Sequence, residues 1–299
     1  MNLSELGEIG YVVNEDYSGL VDISIWPSIN LFKDLIWRGW AVFEVMEARE
    51  NVVFHMDDHL DRLTDSMNNL CLPFPREPER LSFEFKTFLK DKISSVLREN
   101  KLSDSLVRVY VTGGHTEDGL NPVGSSSLYI MASPFTLPRF GRSKGLKLKK
   151  VLYQRDFPYS KHINYSVARV VTSRWGGRIF GDILYVNKKQ VLETSTGNFF
   201  IVQKIGDGVM IKTALNDILH GVTRGVVIDL AKKRGHKVEE GVIWESDLLD
   251  SDEVFVASTT KLVWPVTDIN DQKFPIGDIA LGLRKDFLKY RRNYFKKNT

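Results

Sequence analysis

The run Ser133-Pro134-Phe135-Thr136-Leu137-Pro138-Arg139-Phe140-Gly141-Arg142-Ser143 carries two prolines, a glycine and no clear period, which suits an interdomain connection. It lies near the middle of a chain of 299 residues, longer than one typical core of roughly 100 to 200 residues. Together these facts divide the molecule. They predict a small N-terminal α/β domain over 1–132, an interdomain loop over 133–143 and a larger domain over 144–299.

Ahead of the break, Ala41 to Ala48 reads as a strand, Val52 to His55 as its hairpin partner and Asp58 to Leu70 as a helix. In that helix Leu60, Leu63, Met67 and Leu70 recur at helical spacing and form the buried stripe, while His59, Arg62 and Ser66 share the flank beside it. A second helix is expected over Pro78 to Arg98, then strands over Leu106 to Thr112 and Ser126 to Ala132. Beyond the break come a strand over Leu146 to Gln154, a helix from Ile163 to about Trp175, and strands over Ile183 to Val186 and Asn198 to Val202. A helix from Thr223 to Arg234 ends at Gly235, a strand spans Glu253 to Ala257, and a last helix covers Ile276 to Tyr294. The class is α+β, without internal repeats or low-complexity stretches.

Lys plus Arg at 41 against Asp plus Glu at 38 leaves a formal net charge of +3. That balance argues against nucleic-acid and membrane partners and for a small-molecule one. The single cysteine, Cys71, excludes an intrachain disulfide framework and suits a reducing compartment; Leu70-Cys71-Leu72 reads as a small apolar filler near a helix end. No basic stretch followed by an apolar run opens the chain, and no segment reaches 18 apolar residues, so a soluble, cytoplasmic protein is expected.

The chemistry concentrates in four motifs: Lys161-His162-Ile163-Asn164-Tyr165, Val191-Leu192-Glu193-Thr194-Ser195-Thr196-Gly197-Asn198-Phe199-Phe200, His220-Gly221-Val222-Thr223-Arg224 and Phe255-Val256-Ala257-Ser258-Thr259-Thr260. A lysine can act as a neutral amine once burial or nearby cations lower its pKa. Glu193 falls between a strand and a small polar turn, where a carboxylate can point into a cleft. Gly221-Val222-Thr223 opens a helix whose free N–H groups suit an anion, although N-capping by Thr223 explains the same residues. With Asp58-His59-Leu60-Asp61-Arg62-Leu63 upstream, this order resembles the class IV aminotransferases, which include branched-chain aminotransferases, D-amino-acid transaminases and aminodeoxychorismate lyases. The resemblance runs from about Trp37 almost to the C-terminus.

The resemblance implies a fold type IV enzyme using pyridoxal 5'-phosphate, with a small α/β domain, a larger β-barrel-like domain with helices, the cofactor between them, and a homodimeric assembly. Carried over by motif, Lys161 is the amine that bonds the cofactor and shuttles the α-proton, and Glu193 accepts the pyridinium proton. Tyr165 meets the phenolic oxygen, and Arg62, Val222, Thr223 and Thr259 hold the phosphate. Phe43 and Thr260 fall on the substrate side, and no metal is implied. Subfamily signals conflict: Tyr165 resembles branched-chain enzymes, Lys161-His162 the lyases, and Ser258-Thr259-Thr260 the D-amino-acid enzymes.

Trp40 is bulky at a position that is normally small or polar. Arg38 stands where branched-chain enzymes have a substrate-facing tyrosine, and Arg108 matches a strand arginine that faces acidic substrates. Arg38 or Arg108 is therefore expected to bind a substrate carboxylate. The Arg-x-His trap of D-amino-acid transaminases is not evident in Thr112-Gly113-Gly114-His115-Thr116-Glu117-Asp118. The expected reaction moves an amino group from an L-amino acid, branched-chain or otherwise apolar, to 2-oxoglutarate by a ping-pong cycle. The alternatives are a lyase of the aminodeoxychorismate type releasing pyruvate, a D-amino-acid transaminase, and a non-catalytic relative.

Overall fold

The computed structural model describes residues 9–13, 18–22, 33–75, 82–138, 145–174 and 181–299, with nothing said of the side chains at 82 and 83. The expected helix start at Pro78, residues 139–143 of the interdomain loop and the helix end at Trp175 lie outside them. The chain forms two compact units. One comprises Met1–Thr136, Ser160–Asn164 and Tyr294–Thr299, the other Leu137–Tyr159 and Tyr165–Asn293.

In the first unit the elements are β1 (Ile9–Val13), β2 (Ser18–Asp22), β3 (Ala41–Arg49), β4 (Val52–Val53), α1 (Met56–Asn69), α2 (Ser82–Asn100), β5 (Asp104–Thr112) and β6 (Leu128–Pro134). The strands form one antiparallel sheet in the order β2-β1-β6-β5-β3-β4. Strand side chains alternate between faces, so Val42, Met46, Val107, Val109 and Ile130 join Leu60, Leu63, Met67, Phe85 and Leu89 of the helices in one core. Phe43, Val45, Arg108, Tyr110 and Met131 fall on the opposite face, half-buried and in register as Phe43–Tyr110 and Val45–Arg108–Met131.

Two expectations around α1 need correction. His55 does not extend the hairpin: it stands at the helix N-terminus with φ +50°, in the left-handed region. Cys71 is no buried filler, for it is exposed, with φ +54° just past the helix end. Leu72, not Cys71, turns inward there.

The second unit contains β7 (Leu146–Leu152), α3 (Ser166–Arg174), β8 (Asp182–Asn187), β9 (Gln190–Thr194), β10 (Gly197–Ile205), β11 (Gly208–Ala214), α4 (Val222–Lys233), β12 (Lys237–Gly241), β13 (Ile243–Trp244), α5 (Glu245–Leu249), β14 (Glu253–Ser258), β15 (Leu262–Ile269) and β16 (Gln272–Lys273). A last helix, α6 (Asp278–Asn298), begins in this unit and has its final turn in the first. The strand order is β12-β11-β10-β14-β15-β7-β8-β9-β13, and β9 also pairs with β10. That extra pairing closes β10, β14, β15, β7, β8 and β9 into a six-stranded barrel, with β11 and β12 extending one side. Closure leaves these strands without free edges. Phe199, Ile201, Leu184, Val186, Val254 and Val256 fill a shared core. The molecule is thus α+β, with a six-stranded barrel in its second unit.

Candidate active site

At one end of the barrel β9 and β10 meet in the turn Thr194 to Gly197, and Glu193 pairs with Asn198 across it. Glu193 therefore lies within β9, not between a strand and the turn. Its carboxylate is buried at 4 % exposure. One oxygen accepts from Arg155 Nε at 2.9 Å and the other from the Leu219 backbone N–H at 3.2 Å. Burial opposes the charge on Arg155, but the Glu193 carboxylate outweighs it and raises the guanidinium pKa. A buried arginine and a backbone N–H thus give each Glu193 oxygen a donor.

Asn198 ties this carboxylate to the rest of the barrel end. Its Nδ2 donates to the Leu219 carbonyl at 2.7 Å, and across the ladder it pairs with Ala257 of β14. A Cβ on Gly221 would collide with its Oδ1, so only glycine lets the chain pass here. Gly221 is the N-cap of α4, extended at φ −71° and ψ 136°, and offers no side-chain oxygen to the first N–H groups. The helix starts at Val222, so Thr223 lies within the first turn and is not the cap; its side chain is buried. Beside Ala257, Ser258 has a buried Oγ without a hydrogen-bond partner among the described residues, while Thr259 and Thr260 are half-buried. Glu193, Val222, Thr223 and Thr259 are thus gathered at one barrel end, with Tyr165 just ahead of α3 in the same unit.

Lys161, Arg62, Phe43, Arg38 and Arg108 belong to the first unit. β4 covers β3 only at Ala48 and Arg49, which leaves the edge open near Ala41. Residues 160–164 dock there: Phe43 N–H donates to the Lys161 carbonyl at 2.9 Å and Ile163 N–H to the Ala41 carbonyl at 3.2 Å. Lys161 N–H donates to Ser66 Oγ of α1 at 3.0 Å, and its Nζ lies 4.7 Å from the Phe43 ring centroid. The lysine backbone is thereby fixed by a strand edge and a helix.

On the same α1 flank, Arg62 donates to both oxygens of Glu44, from Nε at 2.7 Å and Nη2 at 2.8 Å, while His59 Nδ1 lies 2.8 Å from Oε2. Glu44 is fully buried; burial would raise its pKa, but Arg62 and His59 overcome this and hold it well below the usual carboxylate range. Facing an ionised acceptor, His59 Nδ1 must carry the proton. Burial, opposed by the Glu44 hydrogen bond, pushes the imidazole below its ordinary pKa, so the ring is neutral beside Arg62 and Lys161.

Arg38 is exposed; its guanidinium stacks 4.0 Å from the Trp37 ring centroid and donates to the Gly119 carbonyl at 3.1 Å. In the loop carrying Gly119, Asp118 accepts from the N–H groups of Leu120 and Asn121 at 2.8 Å each. Arg108 Nη1 donates to Ser133 Oγ at 2.6 Å on the face that carries Phe43 and Tyr110, whose rings stack at 5.6 Å. Trp40 is turned toward the core, its Nε1 donating to the Leu70 carbonyl at 2.8 Å and its ring lying against Gly113. The bulk that marked it in the sequence is spent on packing. Arg155 escaped the sequence reading, because a lone arginine in a loop carries no local sign of burial.

Comparison with known proteins gives this geometry its family. The family described as Amino-transferase class IV matches residues 41–269. A Methanocaldococcus jannaschii protein, provisionally named a branched-chain-amino-acid aminotransferase, is 31 % identical over 280 residues, covering 89 % of this chain and 92 % of its own. The D-alanine aminotransferase of Listeria innocua serovar 6a is 28 % identical over 281 residues, covering 86 % of each. The solved branched-chain amino acid aminotransferase of Escherichia coli superposes with a TM-score of 0.78 at 21 % identity, covering 95 % of this chain and 94 % of that one. The chain belongs to the class IV aminotransferases. It is a pyridoxal-phosphate-dependent transaminase by that membership. Among the described residues no helix is long and apolar enough to cross a membrane, and no group of His, Cys, Asp and Glu could hold a metal ion.

Proposed function

We propose that the chain transfers the amino group of an apolar L-amino acid, of the branched-chain type, to 2-oxoglutarate by a ping-pong cycle. The observation that carries this reading is the face of the first unit's sheet opposite the one that packs on α1 and α2. Phe43 stacked on Tyr110, with Val45 and Met131, offers a half-buried apolar surface beside Lys161, and Arg108 tethered to Ser133 adds one cation for a distal carboxylate. An apolar donor and a dicarboxylate acceptor could use the same surface in turn. The name of the M. jannaschii relative points the same way.

The residues fit the cofactor. Glu193, held by Arg155, suits a pyridine nitrogen, and Tyr165 is assigned to the phenolic oxygen. The glycine-capped start of α4 at Val222 and Thr223, the unpartnered Ser258 hydroxyl and its neighbour Thr259 suit a dianionic phosphate, with Arg62 as the fixed cation. When bound, the cofactor supplies the electron sink for charge on the substrate α-carbon. With the cofactor bound, Lys161 Nζ would take the α-proton and return it, Glu193 would accept the ring-nitrogen proton in a hydrogen bond, and Thr260 would line the substrate side. Arg38, stacked on Trp37 and bonded to Gly119, serves the loop before it serves a substrate. We place the enzyme in the cytoplasm as a homodimer.

The D-amino-acid reading is the second, favoured by the name of the Listeria relative and the Ser258-Thr259-Thr260 turn. The test incubates the holoenzyme and Lys161→Ala with 2-oxoglutarate and either L-leucine or D-alanine. Glutamate from L-leucine, with loss of both turnover and the visible cofactor band in the variant, is expected. Turnover of D-alanine alone would replace the L-specific reading. Pyruvate and an aromatic amine from aminodeoxychorismate would mark a lyase. Sedimentation of the holoenzyme checks the dimer, and a monomer would overturn that part.

A further inference from the structure

Lys261 follows the turn Ser258 to Thr260 and does not point to open solvent. Its Nζ donates to Thr196 Oγ1 at 2.6 Å and lies 3.4 Å from Asp182 Oδ2. Thr196 Oγ1 in turn donates to Asp182 Oδ2 at 2.5 Å, and Ser195 Oγ donates to Oδ1. Asp182 opens β8 and is buried at 4 % exposure, with its own Oδ1 also accepting from Ile183 N–H at 2.8 Å. From the other side Arg284 of α6, itself buried, donates through Nη1 to the carbonyls of Lys261 at 2.8 Å and Val263 at 2.7 Å.

The chain thus holds one turn by its side chain and its backbone. The side-chain arm ends on Ser195 and Thr196, in the β9–β10 turn that begins one residue after Glu193. The two turns also meet directly, since a Cβ on Gly197 would clash with the Ala257 carbonyl and Ser258. We propose that Lys261, anchored by Asp182 and Thr196, is a positioning residue that sets the Ser258–Thr260 turn at a fixed reach from Glu193, so that the cofactor's phosphate and ring are gripped together. This rests on the reading that the turn binds the phosphate. A buried carboxylate with three donors besides the ammonium tolerates loss of the lysine charge, so the clamp can be released without stripping Asp182 of partners.

The experiment titrates the cofactor-free protein with pyridoxal 5'-phosphate and, separately, with pyridoxal, following absorbance, for wild type, Lys261→Met, Lys261→Arg, Thr196→Val and Thr259→Val. The expected result is a roughly tenfold or greater weakening toward pyridoxal 5'-phosphate in Lys261→Met, about 1.4 kcal/mol per decade, with pyridoxal affinity unchanged and Lys261→Arg restoring most of the loss. Thr196→Val, which keeps the ammonium beside Asp182 and removes the two hydrogen bonds of the Thr196 hydroxyl, shifts the same preference by less; should Lys261→Met fail to fold, this variant decides. Equal loss for both ligands, or no loss for either, overturns the clamp. If Thr259→Val abolishes the preference for the phosphorylated ligand while Lys261→Met and Thr196→Val keep it, only the clamp fails. If wild type binds both ligands equally, the reading of the turn as a phosphate site fails with it.

Discussion

Glu44 has no exposure to water, and a charge so placed is tolerated only where donors replace the lost hydration. Arg62 and His59 supply them, so Glu44→Gln leaves a half-buried guanidinium facing a neutral amide. We expect this change to destabilise the protein by about 3–5 kcal/mol, the usual cost of stranding one partner of a buried pair, measured by urea denaturation; a loss below the error of the method would remove the pair from the fold's support. His59 predicts a pH dependence. Its folded pKa is depressed, so below its unfolded pKa of about 6.5 the unfolded chain binds a proton that the folded chain refuses, and stability falls as pH drops. Glu44, also depressed, keeps its contribution complete above about 4.3 and loses it only at much lower pH. Between those values the slope belongs to His59 more than to Glu44. His59→Gln keeps a donor for Glu44, and the denaturation slope across that window is expected to flatten by up to one proton; an unchanged slope would assign it to other groups. The sequence exposed His59 and Arg62 as neighbours by helical periodicity, but gave no sign that Glu44, on a strand, would be the group that joins them.

Elements were legible where pattern and length agreed. The alternation over Ala41 to Ala48 and the 3.6-residue stripe of α1 were both visible, and β3 and α1 are where they put them, within a few residues. Strand β15 was hidden by Pro265, which argues against a central strand. The structure accommodates it because pairing with β7 begins only at Val266. Strand β12, Lys237 to Gly241, is mostly exposed and charged and lies at a sheet edge, so no apolar period marks it. The last helix was expected from about Ile276, and the support for the actual start of α6 at Asp278 is a long-range contact. Glu253 of β14, buried at 1 % exposure, accepts from Ile279 N–H at 3.2 Å and Ala280 N–H at 2.9 Å, and Gly277 leaves room for that carboxylate where any Cβ would overlap it. Glu253→Ala removes a cap and leaves two helix N–H groups without acceptors, costing about 1–2 kcal/mol. Gly277→Ala is expected to cost at least as much by displacing the same carboxylate. Thermal denaturation of both variants checks this, and a Gly277→Ala protein as stable as wild type would show that the carboxylate has another place to go.

At the scale of the whole molecule, neither unit is a single stretch of chain. The first unit needs Ser160–Asn164 to finish the β3 edge and Tyr294–Thr299 to cover Phe54. No local sequence signal could reveal this, because each piece is short and its partner lies far away along the chain. Phe54 packs against Tyr294 at 4.9 Å and Phe295 at 5.7 Å between ring centroids, His55 N–H donates to the Tyr294 hydroxyl at 3.1 Å, and Phe295 is 2 % exposed. Removing Tyr294–Thr299 therefore takes away a buried aromatic, uncovers another and strands a backbone donor. At about 1.5–3 kcal/mol for each large apolar side chain returned to water, the loss is a sizeable part of a typical stability of about 5–15 kcal/mol. The shortened protein is expected to unfold at clearly lower urea, with hydrogen exchange at Phe54, His55 and the start of α1 accelerated first. Phe295→Ala should reproduce part of the effect without altering chain length. If the deletion leaves exchange at α1 unchanged, the C-terminal turn only rests on that unit and does not complete its core.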